Sequence, residues 1–244
     1  MKNTIKQSVR INGIDIEMNI TNEIVKEYTD SLYSSCSTPL NDLRVSAEAD
    51  RVPVIMRDTE ELITALFRLK KPERVLEIGA AVGYSSCCFA EKCGCRVTTV
   101  EADEKMYETA VSNISRLGFD DRVEVLQGDA RQVLQDMAGS GRYTSADGEG
   151  VFDAVFIDAA KSHYRYFWDL SLPLCRKNAL IVCDNVLMKG MTASDQYDVH
   201  KKYKTSIRKM RGFLEYITGA GYAKTCVLPV GDGVSISILE RELI

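Results

Sequence analysis

Three acids follow three successive apolar runs, each placed to meet a positively charged guest. The first run, Arg74-Val75-Leu76-Glu77-Ile78-Gly79-Ala80-Ala81-Val82-Gly83-Tyr84-Ser85, carries Glu77, then a turn punctuated by Gly79 and Gly83, then a helix-forming segment. Bare backbone at the two glycines would let a ligand approach closely. The third glycine of the dinucleotide fingerprint is missing, and Glu77 would repel a pyrophosphate. A cationic nucleoside suits the turn better, and S-adenosylmethionine carries both a sulfonium and an ammonium. The second run, Arg96 to Glu101, ends in an acid 22 residues after Gly79, where a carboxylate can accept hydrogen bonds from both ribose hydroxyls. The third, Val123 to Ala130, closes in Gly128-Asp129-Ala130, whose side-chain and backbone groups could read an adenine edge. A nucleotide-sugar or NAD-binding domain is the competing reading, disfavoured because phosphate prefers backbone amides and cations.

Two further strand ends carry hard ligands. Phe156-Ile157-Asp158-Ala159-Ala160-Lys161 places Asp158 at one, and Ile181-Val182-Cys183-Asp184-Asn185-Val186 places Asp184 and Asn185 at another. If these strands are neighbours they lie about 4.8 Å apart, so three oxygens can converge on one ion. Two carboxylates and an amide suit Mg²⁺ or Mn²⁺, which keeps positions for water and substrate oxygens. A hydroxyl held by such an ion loses its proton more easily, and Lys161 is placed to take it. The oxyanion can then attack a methyl carbon in line with the departing sulfur. A plain surface salt bridge is the bland alternative for Lys161. His163 and His200 read as helix-surface residues without a role.

The segments Glu77-Ile-Gly-Ala-Ala-Val-Gly-Tyr-Ser85, Ile157-Asp-Ala-Ala-Lys161, Asp184-Asn-Val186 and Pro229-Val-Gly-Asp-Gly233 resemble the cation-dependent O-methyltransferases, the class containing catechol and caffeoyl-CoA O-methyltransferases. The resemblance covers roughly residues 20 to 244. Val52-Pro53-Val54-Ile55-Met56, Asp184-Asn-Val-Leu-Met-Lys-Gly190 and the basic stretch after it are most similar to the bacterial branch that methylates 5-hydroxyuridine at the tRNA wobble position. By that resemblance Asp158, Asp184 and Asn185 hold the metal. Met56, Glu77, Gly79, Ser85, Glu101, Gly128, Asp129, Ala130 and Asp158 contact the cofactor, and Lys161 is the catalytic lysine. The Gly139–Gly150 insertion is longer than the family pattern.

From Arg74 onward strand and helix alternate: strands at 74–79, 96–101, 122–127, 151–157 and 179–183, with helices at about 84–92, 103–117, 130–138 and 163–174. Such alternation predicts a doubly wound, mostly parallel α/β sheet of the Rossmann-like methyltransferase class. Gly231-Asp232-Gly233 joins two final strands in a hairpin, which inserts one antiparallel strand. Gly139 to Gly150 reads as a mobile surface loop. Before the sheet, Asn22–Tyr33 shows an apolar stripe at Ile24, Tyr28 and Leu32, and Leu40–Ala49 reads as a second helix. Asp58 with Glu61 reads as a capping box opening a third helix lined by Leu62, Leu66 and Leu69. The whole reads as one domain, 1–244, with residues up to about 72 capping the cofactor pocket, pairing subunits in a homodimer, or both.

The helix expected over about 196–218 carries an apolar stripe, Val199, Tyr203, Ile207, Met210, Leu214 and Ile217. Its other faces hold Lys201, Lys202, Lys204, Arg208, Lys209 and Arg211. With Lys189, Lys201, Lys202 and Arg208 could grip the phosphates of a tRNA anticodon loop; a solvated helix face is the alternative. A small catechol or phenol is the competing acceptor, with Tyr164 and Trp168 as its aromatic walls. A catalytically silent cofactor-binding module is a third reading, opposed by the intact Asp158/Lys161/Asp184/Asn185 set.

The formal charge of −4 opposes wholesale binding to nucleic acid but not a local basic face. Eight cysteines form no CxxC pair and read mainly as small apolar fillers. Cys93-Gly94-Cys95 reads as reduced turn thiols rather than a metal pair. No apolar run approaches the ~20 residues of a membrane span, and the amino terminus lacks a signal-peptide core. These features predict a cytoplasmic protein without a membrane partner.

Overall fold

The computed structural model describes residues 8–11, 14–17, 23–33, 36–199 and 201–240. Two short strands, β1 (Ser8–Ile11) and β2 (Ile14–Glu17), pair antiparallel. Three helices follow: α1 (Glu23–Leu32), α2 (Thr38–Ala49) and α3 (Arg57–Lys70). Strands and helices then alternate as β3 (Arg74–Ile78), α4 (Tyr84–Cys93), β4 (Arg96–Glu101), α5 (Glu104–Arg116), β5 (Val123–Gln127), α6 (Ala130–Gly139), β6 (Phe152–Ile157), α7 (Tyr164–Ser171) and β7 (Cys175–Cys183). The chain closes with α8 (Lys204–Thr218), β8 (Ala223–Leu228) and β9 (Val234–Leu239).

The seven strands of the main sheet run in the order β5-β4-β3-β6-β7-β9-β8. Every pairing from β5 to β7 is parallel, and β9 runs antiparallel to both β7 and β8. This is the expected Rossmann-like, doubly wound sheet. Alternate side chains of the central strands feed two cores. Leu76, Ile78, Val155, Ile157, Ile181 and Cys183 pack on one face, with α6, α7 and α8. Val75, Ala154, Phe156, Leu180 and Val182 pack on the other, with α2 to α5. A strand covered on both faces has no solvated side, which is why these runs are apolar almost throughout.

Several local expectations are corrected. The helix foreseen from about 196 starts at Lys204, because the buried Asp198 accepts from the amides of Lys202 (3.1 Å) and Tyr203 (3.2 Å) and holds that stretch as a turn. Val199 and Tyr203 therefore leave the apolar stripe and stand exposed; His200 lies outside the described residues. The Asp58/Glu61 capping box does not form. Met56 is the N-cap of α3, Asp58 accepts instead from Gly231 N at 3.0 Å, and Glu61 pairs with Lys92. α3 buries Ile63 and Phe67, with Leu62 and Leu66 partly buried against the same core, while Leu69 is 82% exposed. The helix foreseen over 163–174 is one α-helical stretch between two short 3₁₀ turns, the second opened by Leu172-Pro173. Strand β7 begins at Cys175, earlier than expected, and passes an irregularity in its pairing with β6. The 139–150 insertion is largely exposed but not wholly a surface loop: Tyr143 is buried and stacks on Phe152 at 5.7 Å. Among the described residues no helix is long and apolar enough to cross a membrane.

Candidate active site

A cavity of about 570 Å³ opens at the carboxyl edge of the sheet, within the range that holds a nucleoside-sized ligand. Its floor is the β3–α4 loop. Gly79 is required there for a reason internal to the fold: a Cβ at that position would stand 2.1 Å from the carbonyl oxygen of Asp158. Gly83, the αL N-cap of α4, abuts Ile114 and Ala110 of α5. The two glycines thus also serve close backbone and helix packing, beyond admitting a ligand. Ser85 lines the cavity from the first turn of α4, and Pro53 to Met56 line it from the segment that leads into α3.

Glu101 and Asp129 face the cavity from the ends of β4 and β5. The Glu101 oxygens accept from Ala81 N (2.8 Å) and Asp103 N (2.9 Å), which fixes the carboxylate and leaves lone pairs for a diol. Asp129 is the N-cap of α6, and bonds from the Arg131 side chain and amide hold its carboxyl down to about 2. Ala130 lines the wall beside it. Glu77 and Gly128 are not among the residues that line the cavity. Glu77 points from β3 toward α4 on the opposite parity to Ile78, is wholly buried, and takes the Ser86 hydroxyl. Burial raises its carboxyl above the ordinary range, against the Ser85, Ser86 and Thr99 hydroxyls. Gly128 donates its amide to Glu101 O at 2.9 Å and turns the chain at φ 141°.

Asp158 and Asp184 stand on adjacent parallel strands one position past the Ile157–Cys183 register pair, so both belong to the same sheet edge. Asn185 Nδ2 donates to Asp158 Oδ1 at 2.9 Å, and Asn185 N donates to Asp184 Oδ1 at 2.6 Å. Asn185 adopts φ 59°, a left-handed conformation that asparagine tolerates better than most residues. Burial raises the carboxyls of both aspartates, and at Asp184 the Asp158 charge adds to it. Two carboxylates that resist ionising side by side, with the Asn185 side-chain amide beside them, are a donor set that a hard dication would satisfy. Lys161 Nζ lies 3.9 Å from Asp158 Oδ1 and lines the same cavity.

The expected substrate contacts are only partly brought together. Lys189 N donates to Asp232 Oδ1 at 3.2 Å, in the segment that leaves Asn185. Lys201 and Arg208 flank a separate depression with Lys204, Arg211, Asp195 and Asp198, and they do not line the cofactor cavity; nor does Lys202. Tyr164 and Trp168 are not pocket walls: both are buried, Tyr164 donating to Asp184 O (2.7 Å) and Trp168 to the Tyr222 hydroxyl (3.3 Å). The aromatic residues that do face the cavity are Tyr84 and Phe167, joined by His163, and nothing in the sequence motifs assigns these three a pocket role. Phe167 lies four residues after His163 and packs its ring 6.1 Å from it, while Tyr166, about 100° around the helix, is 55% exposed, so the i, i+4 spacing is the available signal once the start of α7 is known.

Fold and site together define a Rossmann-like methyltransferase. The O-methyltransferase family model matches residues 31–239, and the chain belongs to that family and is an enzyme of that class. A caffeoyl-CoA O-methyltransferase of Stellaria longipes is 25% identical over 211 residues, covering 84% of this chain and 85% of the relative. A caffeoyl-CoA O-methyltransferase of Petroselinum crispum is 29% identical over 185 residues, 73% of each chain. Among solved structures, a Bacillus cereus O-methyltransferase in complex with S-adenosylhomocysteine aligns with a TM-score of 0.74 at 26% identity, covering 88% of this chain and 97% of its own. A Staphylococcus aureus chain aligns at 0.78 and 30% identity, covering 89% of this chain and all of its own.

Proposed function

We propose that the protein transfers a methyl group from S-adenosylmethionine to an acceptor hydroxyl with the aid of Mg²⁺ or Mn²⁺, and that the acceptor is 5-hydroxyuridine at the wobble position of tRNA. The observation that carries the chemistry is the meeting of Asp158, Lys161, Asp184 and Asn185 in one cavity with Glu101 and Asp129. When bound, the donor supplies an electrophilic methyl carbon and the cation favours the ionised form of the acceptor hydroxyl. Asp158, Asp184 and Asn185 would hold the cation. Glu101 orients the ribose, Ser85 and the Gly79–Gly83 turn receive the methionine end, and Phe167 and Met56 exclude water. Lys161 Nζ takes the hydroxyl proton, and its neighbour Asp158 keeps it at the cavity.

The tRNA reading rests on the sequence resemblance and on the exposure of Lys189, Lys201, Lys202 and Arg208 around the segment that follows Asn185. It carries with it a cytoplasmic location. A small phenolic acceptor is the second reading, favoured by the caffeoyl-CoA enzymes among the relatives. A homodimer through α1 fits the exposure of Tyr28 (65%) and Leu32 (63%). The deciding experiment supplies labelled S-adenosylmethionine, Mg²⁺ and either hypomodified tRNA or a panel of catechols and caffeoyl-CoA, with and without chelator. Label in tRNA that chelator abolishes supports the first reading. Label confined to the phenols establishes the second, and transfer undiminished by chelator refutes the metal.

A further inference from the structure

Away from the chemistry, two thiols meet where the N-terminal cap rests on the core. Cys36, partly exposed in the coil before α2, has its sulfur 3.6 Å from that of Cys88, which is buried within α4. The Cys36 sulfur is also 3.7 Å from Glu60 Oε1 and from the Tyr84 hydroxyl. We propose that Cys36 and Cys88 are a reversible oxidation site, closing to a disulfide with a hydroperoxide as oxidant and fastening the cap to the helix that follows the cofactor loop.

The neighbouring groups favour thiol chemistry over a metal. Cys36, Glu60 and Cys88 offer three donor atoms within 4.8 Å of one another. Both Glu60 oxygens are committed, however: Oε1 to Lys92 Nζ at 2.7 Å, Oε2 to Arg44 and to the Tyr84 hydroxyl at 2.9 Å. A dication would have to displace two resident cations and would still lack a fourth ligand. The same surroundings divide the labour between the sulfurs. Cys36 is the half-buried, reachable sulfur and Cys88 the buried one. The Sγ–Sγ contact with Cys88, helped by the Tyr84 hydroxyl and the Lys92 charge, outweighs burial and the Glu60 charge and holds the Cys36 thiol below its ordinary range, while that same contact and burial keep Cys88 protonated. Cys36 is therefore the attacking thiolate and Cys88 the resolving thiol. By contrast Cys87, Cys95, Cys175 and Cys183 are buried, their thiols pushed up to about 12 by burial.

With hydrogen peroxide the step balances. The Cys36 sulfur attacks one peroxide oxygen, the O–O bond breaks, and the departing hydroxide takes the proton lost by Cys36 to leave as water. The Cys88 sulfur then attacks the resulting sulfenic sulfur, the S–O bond breaks, and the departing hydroxide leaves as a second water with the Cys88 proton. Two thiols are oxidised and one peroxide is reduced. The sulfurs need to close from 3.6 Å to about 2.05 Å, a movement that the coil at Cys36 can supply while α4 stays in place.

The test treats the purified full chain with graded hydrogen peroxide, blocks remaining thiols with N-ethylmaleimide, and maps peptides without reduction. The expected product is one intrachain Cys36–Cys88 peptide pair, with two of the eight thiols lost, a Tm raised by several degrees, and full reversal by dithiothreitol. Cys226→Ser should keep the cross-link, and Cys36→Ser should abolish both cross-link and Tm shift. Cys36 driven to sulfinic acid while Cys88 still reacts with the blocking reagent would overturn the proposal. So would stoichiometric Zn²⁺ binding that shields both thiols from it. Because the decisive map is made on the unsubstituted protein, a variant that fails to fold leaves the outcome clear.

Discussion

Gly79→Ala tests the joint between the β3–α4 loop and the sheet edge that carries Asp158 and Asp184. The added Cβ would meet Asp158 O at 2.1 Å and its carbonyl carbon at 3.0 Å, at a backbone φ of +105°. Ordinary contacts are about 3.5 Å, so the two backbones must part by roughly 1.4 Å. They are tied on both sides, by Asp158 N to Ile78 O at 3.0 Å and Gly79 N to Val100 O at 2.9 Å. Left-handed backbone at a non-glycine residue costs about 1–2 kcal/mol and overpacking about 1–3 kcal/mol more. At about 2–4 °C per kcal/mol, Tm should fall by about 4–20 °C. A displacement of about 1 Å at a catalytic group lowers turnover by about 100-fold. Gly118→Ala is the matched control: φ is +74°, and nothing lies within 4 Å of its Cβ. It should lose only the backbone part of the stability and keep its turnover. Calorimetry and initial rates of methyl transfer at saturating donor read both effects. Gly79→Ala turning over at the unsubstituted rate, or losing no more stability than Gly118→Ala, would refute the reasoning.

Lys161→Met should lower turnover by about 10²–10⁴-fold while donor affinity, read by isothermal titration, stays unchanged; undiminished turnover removes Lys161 from the mechanism. In the metal-free chain Asp158 and Asp184 have carboxyls raised on folding, so the folded state binds protons more tightly than the unfolded one. Their contribution to stability is greatest below the ordinary carboxylate range and declines as pH rises toward the folded values. Asp184→Asn should therefore raise the metal-free Tm at neutral pH, keep the Asn185 amide bond through its carbonyl oxygen, and abolish transfer. A lower Tm in that variant would contradict the repulsion inferred at the site.

Much of the site was legible because its signals are local. An apolar run ending in an acid says where a strand stops, and in parallel strands all such ends share one edge. That is why Glu101, Asp129, Asp158, Asp184 and Asn185 could be placed together before their register was known. The helix start at Lys204 was not legible, because Asp198 acts through two amides that only a particular turn brings within reach. Tyr164 and Trp168 pack on Phe213 of α8 instead of walling a pocket, because composition does not say which face of α7 meets α8.

By itself the chain determined the alternation of strands and helices, the turn at Gly79 and Gly83, and the acids that end the strands, all set by residue type and spacing within a few positions. Tertiary structure alone decided that the buried Glu77 takes the Ser86 hydroxyl, that Gly79 makes room for the Asp158 backbone, and that Cys36 meets Cys88 across 52 residues. Those outcomes depend on which surfaces pack against each other, and packing joins atoms whose separation along the chain carries no local signal.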